Sequence, residues 1–123
     1  MRKQYYFRPS NQGLLAWDVD RLIELSRNLP RKQVPLVQIR ELDEVWFGKG
    51  EHPTWRAMIA HVQLIQDANL RFPIILSSDG SVMDGMHRVG KALLEGRDVI
   101  EAVRFEHDPE PDHVGRGPDD LPY

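Results

Sequence analysis

The sequence predicts a small, mixed α+β single domain, and three observations lead to this prediction. The chain has 123 residues, enough to bury one hydrophobic core and too few for two ordinary domains. Hydrophobic residues make up 41% of the chain and charged residues 28%, which is typical of a folded domain. Segments with helical and with strand periodicity are interspersed, which argues against a helical bundle or a β-sandwich. The predicted order of elements is α-β-α-β-β-α-β.

The first predicted helix and strand follow an N-terminal arm of mixed character. Apolar side chains recur at helical spacing in residues 17–29, where Asp18 is suited to cap the helix and Pro30 to end it. Val, Leu and Ile then cluster in residues 33–39, which predicts a strand. Pro35 fits the start or the edge of such a strand, because proline has no N–H group to donate to a neighbouring strand.

The middle of the chain predicts a helix and then a β-hairpin. A turn-rich stretch at 46–53 precedes residues 54–68, where apolar side chains repeat on one helical face: Trp55, Met58, Ile59, Val62, Ile65 and Ala68. Residues 73–76 and 81–83 are short apolar runs joined by a polar turn. Gly80 in this turn would supply the positive φ that a tight hairpin requires.

A last helix and strand complete the predicted domain, which spans residues 1–106. Residues 86–94 have a helical pattern that ends before Gly96, and residues 99–105 form an apolar strand. Residues 107–123 contain five acidic residues and four prolines. We expect this acidic, proline-rich segment to be an extended tail that adds little to the core.

Charge and composition exclude several classes of function. The formal net charge is -3, so no overall positive field would attract DNA, and direct DNA binding is not expected of this chain alone. No apolar stretch approaches the roughly 18 residues of a membrane span, and the short apolar N-terminal run does not fit a signal peptide. We therefore expect a cytoplasmic protein that does not enter a membrane. The chain has no cysteine, which excludes disulfides and thiolate chemistry.

The segment Asp84-Gly85-Met86-His87-Arg88 joins the predicted hairpin to the following helix. The first turn of a helix has N–H groups without intrahelical acceptors, and the helix dipole places roughly half a positive charge there. Both features stabilise an anion, and the glycine lets the anion approach the backbone closely. This turn is therefore a candidate phosphate site.

Three cationic or titratable side chains, His87, Arg88 and Lys91, lie on the first turns of this helix and could face one anion. A cation at a helix N-terminus opposes the dipole, so these residues are poorly placed if they serve helix stability alone. The alternative is a purely structural turn, in which Asp84 caps the helix and the cations are solvated.

Several motifs occur in a fixed order between Val34 and Phe105. An apolar strand, an Asp-Gly pair, a second strand and a basic helix start read Pro73-Ile74-Ile75-Leu76, Asp79-Gly80 and Val82-Met83-Asp84-Gly85-Met86-His87-Arg88-Val89-Gly90-Lys91-Ala92. This arrangement resembles the core of the ParB/sulfiredoxin superfamily, in which Gly-x-His/Arg-Arg opens an alanine-containing helix. The first predicted strand with Arg40 also looks like the opening strand of that family. The resemblance implies a ParB/sulfiredoxin-like fold.

The resemblance further implies a nucleoside triphosphate, ATP or CTP, with Mg²⁺ as an additional ligand. The nucleotide-binding residues would be Arg40, Asp84, Gly85, Met86, His87, Arg88 and Lys91. In sulfiredoxins the residue between the glycine and the histidine is the catalytic cysteine. Here it is Met86, whose thioether cannot form the required intermediate, so sulfinic acid reduction is excluded. ParB proteins add helix-turn-helix and dimerisation domains, for which this chain has no room, so partitioning is not expected of this chain alone.

Glu41 is the candidate catalytic residue. It follows the first predicted strand, and a relative in the superfamily that phosphorylates free serine uses a glutamate after this strand. Asp43 and Glu44 could hold a metal or act as a base in the same stretch. The alternative for all three is a solvated loop carboxylate.

Two classes of function follow from these residues. The first is a nucleotide-dependent switch or interaction module that works with an unidentified protein partner. The second is a small phosphoryl-transfer enzyme, such as a kinase, an NTPase or a nuclease. Turnover of the nucleotide separates them. A third reading is an interaction domain that keeps the fold without the ligand.

Overall fold

The computed structural model describes residues 3–45 and 53–123. These residues form a mixed α+β domain, which confirms the predicted class. The helices and strands are β1 (Tyr5–Ser10), β2 (Gly13–Asp18), α1 (Val19–Ser26), β3 (Lys32–Pro35), α2 (Trp55–Asp67), β4 (Ile74–Leu76), β5 (Val82–Asp84), α3 (Met86–Leu94), β6 (Val99–Arg104) and β7 (His113–Val114). The order differs from the predicted one, because two strands precede α1 and another follows β6.

The larger sheet has the strand order β3-β6-β4-β5. Strands β4 and β5 form the predicted antiparallel hairpin, and α3 then carries the chain to β6, which runs parallel to β4. Neighbouring residues such as Ile74 and Ile75 are both buried, because successive side chains of a strand point to opposite faces. One face packs against Leu36, Ile39, Val89 and Ala92, and the other against Trp17, Leu22 and Phe105.

The smaller sheet was not expected, since the N-terminal arm has no clear periodicity. Strands β1 and β2 form an antiparallel hairpin, and β7 pairs with β2 on its other edge. The run Tyr5-Tyr6-Phe7 places half-buried aromatic side chains on both faces of β1, so polar and apolar residues do not alternate there. Periodicity therefore could not reveal this strand.

The C-terminal segment is not an extended tail, so that expectation is wrong. The indole N–H of Trp17 donates to the carbonyl of Pro109 at 2.8 Å, and the backbone N–H of Asp18 donates to the Asp112 carboxylate at 2.8 Å. Leu121 is buried. The segment is held by hydrogen bonds more than by apolar burial, and hydropathy does not detect that kind of attachment.

Two predicted elements have different bounds. The first helix covers Val19–Ser26, and Trp17 belongs to β2, although Asp18 caps the helix as predicted by accepting from the N–H of Asp20 at 2.9 Å. The predicted strand at 33–39 ends at Pro35 and continues as a 3₁₀ turn. That turn buries Leu36 and Ile39, three residues apart, which an extended strand would point to opposite faces.

The remaining predicted elements are confirmed. Helix α2 is capped by Thr54, whose hydroxyl accepts from the N–H of Ala57 at 3.1 Å, and α3 has the predicted bounds. The hairpin turn has Gly80 at φ 90°. The turn-rich stretch at 46–53 lies outside the described residues except for Pro53. Among the described residues, none of the helices combines the length and the apolar character needed to cross a membrane.

Candidate functional site

The candidate site is built around the start of α3. Strand β5 ends at Asp84, and Gly85 occupies the N-cap position with φ 109° and ψ 20°. No side chain caps the helix there, so Asp84 is not the helix cap of the structural alternative. The first intrahelical bond runs from the N–H of Val89 to the carbonyl of Gly85 at 3.1 Å. The N–H groups of the preceding helical residues therefore lack intrahelical acceptors and remain suited to an anion.

Only glycine fits at position 85. A Cβ atom on this residue would lie 2.7 Å from Ile74 Cγ2 and 2.8 Å from Arg88 Nη2. The left-handed backbone conformation would also strain any side-chain-bearing residue. The backbone of the turn is thus packed directly on the sheet and on the Arg88 side chain.

A cavity of about 570 Å³ lies on one side of this turn. Its lining includes Asp84, Gly85, Met86 and His87 from the turn, Glu41 and Glu44 from the loop after β3, and His61 from α2. Tyr5, Phe7 and Tyr123 form an aromatic group on the same cavity. The Tyr5 ring lies 5.3 Å from the Tyr123 ring and 6.2 Å from the Phe7 ring.

A smaller groove of about 290 Å³ lies on the other side of the turn. The groove and the cavity share Gln4, Asp84, Gly85 and His87. Arg88 lines the groove and is not part of the cavity lining. The N-terminus of α3 therefore sits where the two spaces meet.

The Arg88 side chain packs against Asp84 and Gly85 at the start of its own helix. Its Nη2 atom lies 3.0 Å from Asp84 Oδ2, and the two side chains are 18% and 19% exposed. The Nε atom of Arg88 is buried and has no hydrogen-bond partner. A buried guanidinium N–H without an acceptor is costly, and a small rotation toward the groove would let an anion supply that acceptor.

His87 lies on both the cavity and the groove. Burial lowers the pKa of His87, and nearby His61 and Arg88 lower it further, whereas Asp84 acts in the opposite direction. The rings of His61 and His87 lie 5.0 Å apart with an interplanar angle of 61°. A bound anion would offset these effects, since it stabilises the protonated ring.

Glu41 is held against strand β5. One oxygen, Oε2, accepts from the N–H of Val82 at 2.6 Å, and the other, Oε1, is buried without a partner. The residue also lines the cavity and is partly buried, so its carboxylate is not fully solvated.

Arg40 and Lys91 lie away from the cavity. Arg40 contacts Asp79 and Ser81 in the β4–β5 turn, where hydrogen bonds from Ser77 and from the Ser81 backbone hold the pKa of Asp79 far below its usual range. Lys91 donates to the carbonyls of Gln66 and Ala68, at 2.9 and 2.7 Å, at the end of α2. Neither cation is directed at the α3 N-terminus.

The structure thus brings together Glu41 and the turn from Asp84 to His87, with Arg88 alongside. It does not bring Arg40 or Lys91 to the same point. The aromatic group formed by Tyr5, Phe7 and Tyr123 was missed, and the aromatic run at the N-terminus was the signal in the sequence that could have indicated it.

Carboxylates dominate the charged lining of the cavity. Glu41, Glu44 and Asp84 lie there, and no lysine or arginine is among the described lining residues. Groups of three or more His, Asp or Glu side chains arranged to hold a metal ion are absent from the described ranges, 3–45 and 53–123.

No protein-family model matches this sequence, and neither do any of the curated proteins or the solved structures.

Proposed function

We propose that this protein binds a nucleoside triphosphate, ATP or CTP, and uses it as a switch that changes its interaction with a protein partner. The phosphates would lie at the start of α3 and the nucleoside in the cavity. One observation carries the proposal: a cavity of about 570 Å³ opens directly onto an uncapped helix N-terminus, with Arg88 on its other side.

The phosphate end has three sources of stabilisation. The free N–H groups of the first turn of α3 donate to phosphate oxygens, and the helix dipole favours the negative charge. Gly85 allows the phosphate to approach the backbone. Arg88, with its unpartnered Nε, adds charge from the groove side.

The volume of the cavity and its aromatic lining both suit a nucleoside. The volume of the cavity is within the roughly 300–1,000 Å³ usual for small-molecule sites. Tyr5, Phe7 and Tyr123 offer ring faces and edges against which a base can pack. Because β1 and the C-terminal segment carry these rings, the bound nucleoside would contact the smaller sheet, and this contact provides a route from nucleotide to partner surface.

Mg²⁺ fits the carboxylates of the cavity. Mg²⁺ is usually held by one or two carboxylates together with phosphate oxygens and waters. Glu41 and Asp84 supply carboxylates beside the proposed phosphate position. The ion would reduce the repulsion between these acids and the triphosphate.

The resemblance to the ParB/sulfiredoxin superfamily supports the same assignment. Gly85, His87 and Arg88 resemble the family's phosphate motif, and in this chain they follow strand β5 and open helix α3. Membership of the superfamily is part of our proposal.

A second candidate function is phosphoryl transfer, as in a kinase, an NTPase or a nuclease of the same superfamily. The observation that favours it is the unpartnered Oε1 of Glu41 in the cavity wall. A carboxylate in that position is available to accept a proton from an attacking hydroxyl or water. Glu41→Gln should abolish turnover if this function is real, while the chain should still bind nucleotide in the absence of Mg²⁺.

The test is calorimetric titration of the purified chain with ATP, CTP, GTP and UTP, each with and without Mg²⁺. We expect ATP or CTP to bind and Arg88→Gln to weaken that binding by about tenfold or more, because one charge-assisted contact to phosphate is lost. Glutamine retains an N–H donor for Asp84, so the variant should fold. Released phosphate, measured on the same samples, separates the switch from the enzyme.

Arg97→Gln is the matched control, since Arg97 is exposed, pairs with Glu95 and lies outside the cavity and the groove. Its affinity for nucleotide should equal that of the wild type. The proposal fails if no nucleotide binds, or if Arg88→Gln and Arg97→Gln bind it equally well.

A further inference from the structure

A recess of about 400 Å³ lies between helix α1 and one face of the larger sheet. Its floor is formed by Ile75 of β4 and Val103 of β6, which are paired neighbours on these parallel strands. Helix α1 has only eight residues, a length of about 12 Å, so it covers this face only in part. Among the described residues, the recess shares only Asp84 with the cavity at the α3 turn, and Phe72, Asp84 and Arg88 with the groove.

Exposed apolar side chains border the floor of the recess. Ile23 of α1 is 45% exposed, and Phe72, in the loop before β4, is 59% exposed. Most of the accessible surface of the recess is apolar, and its volume is within the roughly 300–1,000 Å³ usual for small-molecule sites. A concave apolar surface with further apolar side chains at its border suits the apolar body of a ligand.

Three arginines give the recess a positive charge. Arg27 follows Ile23 by one helical turn, Arg31 lies in the loop before β3, and Arg88 reaches the recess from α3. Asp84 is the only carboxylate among the described lining residues, and it pairs with Arg88 at 3.0 Å. The cavity at the α3 turn has the opposite character, with carboxylates and without lysine or arginine in its described lining. The recess therefore favours an anion.

Two of these guanidinium groups can contact a ligand at little cost. Arg27 pairs with Glu24 at 2.8 Å, but the two side chains are 65% and 66% exposed, and so exposed an ion pair adds little stability. Arg31 Nη1 lies 3.1 Å from the carbonyl oxygen of Arg71 and 3.6 Å from Glu101 Oε2. Both contacts use Nη1, so the N–H groups on Nε and Nη2 are available to a ligand. Neither arginine has to give up a buried ion pair.

We propose that this recess is a second ligand site, which binds a small organic carboxylate with an aromatic or branched aliphatic body. The carboxylate contacts Arg27 and Arg31, because a guanidinium group can donate to both oxygens of a carboxylate in one plane. The body lies on Ile75 and Val103, where burial of its apolar surface adds to the affinity. Inorganic phosphate fits less well, since the apolar lining cannot replace the water around a doubly charged group.

The proposal does not depend on nucleotide binding, because Arg27 and Arg31 line neither the cavity nor the groove. NMR titration of the full chain with small acids, in the absence of nucleotide, tests it. Phenylpropionate and indoleacetate should bind with dissociation constants of about 1 mM or tighter, as expected for ligands of this size. The backbone amide signals of Ile23, Arg31 and Phe72 should shift on binding.

Two related compounds separate the contributions of charge and apolar surface. Phenylpropionamide keeps the ring without the charge, and acetate keeps the charge without the ring. Each should bind at least about tenfold more weakly than phenylpropionate, because each lacks one of the two kinds of contact.

The arginines give the second arm of the test. The double variant Arg27→Gln/Arg31→Gln should bind phenylpropionate about tenfold or more weakly, since both charge-assisted contacts are lost. Arg97→Gln is the matched control, because Arg97 is exposed and lies outside the recess, and its affinity should equal that of the wild type. Circular dichroism should show both variants folded, since the arginines that they replace are exposed.

Several results would overturn the proposal. Phenylpropionate might bind no more tightly than phenylpropionamide or acetate, or equally well to the double variant and to Arg97→Gln. Shifts confined to helix α2 would place the acids elsewhere on the domain. If neither acid binds, the recess is not a small-molecule site and is left to an acidic segment of a protein partner.

Discussion

Gly85 is the most constrained residue of the candidate site, because backbone conformation and close packing both require glycine. We expect Gly85→Ala to lower the free energy of unfolding by about 2 kcal/mol or more, since the methyl group meets Ile74 and the left-handed conformation is strained. Urea denaturation with a linear extrapolation measures the change.

Gly80→Ala separates the cost of backbone strain from the cost of the collision with Ile74. Gly80 has a φ of 90° and no atom within 4 Å of its Cβ position, so alanine there meets strain without collision. Gly80→Ala should therefore lower the free energy of unfolding clearly less than Gly85→Ala. Equal losses at the two positions would contradict the close packing of the turn.

His87 links the site to pH. Its folded-state pKa is lowered by burial and by His61 on α2 and Arg88 on its own helix, while Asp84 at the end of β5 partly offsets them. The contribution of neutral His87 is therefore fully present above 6.5, the ordinary value, and is lost as the pH falls below it toward the lowered pKa. We expect the melting temperature to fall over this window, and to fall less in His87→Asn.

Comparing the two proteins isolates this residue, because they differ only at position 87. Identical melting curves across the window in the wild type and in His87→Asn would show that His87 does not carry the effect. A bound phosphate favours the protonated ring, so nucleotide affinity should change in the opposite direction and rise as the pH falls.

The position of the β5–α3 turn could be predicted from the sequence, but the groups that each nearby cation contacts could not. Gly85, His87 and Asp84 could be placed because their roles depend on backbone position at a strand–helix junction. Arg40 and Lys91 could not, since long side chains reach acceptors that are distant in sequence, such as Asp79 and the carbonyl of Ala68. Spacing along one helix shows which residues are neighbours but not which of them already has an acceptor.

Lys91 on α3 connects this helix to the C-terminal end of α2 by hydrogen bonds. Its ammonium group satisfies two carbonyls at the C-terminus of α2, where helix carbonyls lack intrahelical donors and the dipole favours a cation. Lys91→Met should therefore destabilise the domain by about 1–2 kcal/mol, as measured by urea denaturation, and leave nucleotide affinity unchanged.

Lys32→Met is the comparison variant, because Lys32 is an exposed residue of strand β3. Its effect on stability should be small. If Lys91→Met instead removed nucleotide binding without loss of stability, Lys91 would belong to the phosphate site, as the sequence alone had predicted.

Helices α2 and α3 and the β4–β5 hairpin could be predicted because their limits are set locally. Thr54 caps α2, and Gly80 and Gly96 adopt the positive φ values that end or turn the chain. The strand at 33–39 was predicted too long, since the 3₁₀ turn that buries Leu36 and Ile39 depends on a bond from the N–H of Leu36 to the carbonyl of Asp98 at 2.9 Å. No local pattern encodes that bond.

At the level of the whole molecule, the larger sheet was predictable and the smaller sheet was not. The larger sheet is buried on both faces, which requires the apolar runs that the sequence shows. The smaller sheet joins the two ends of the described chain through bonds that connect Trp17 with Pro109 and Asp18 with Asp112. Composition alone does not show whether a polar segment packs on the domain, as the C-terminal segment does, or stays solvated.

Strand β7 of the smaller sheet is far in sequence from β1 and β2, and this separation affects the order of folding. Trp17 and Pro109 are 92 positions apart, so their contact closes a long loop, and loop closure costs entropy before any contact repays it. We expect the larger sheet to form first and the terminal strands to join it afterwards. The aromatic side of the cavity would then be completed at the end of folding, so a partly folded chain would present the α3 turn without a pocket for a nucleoside.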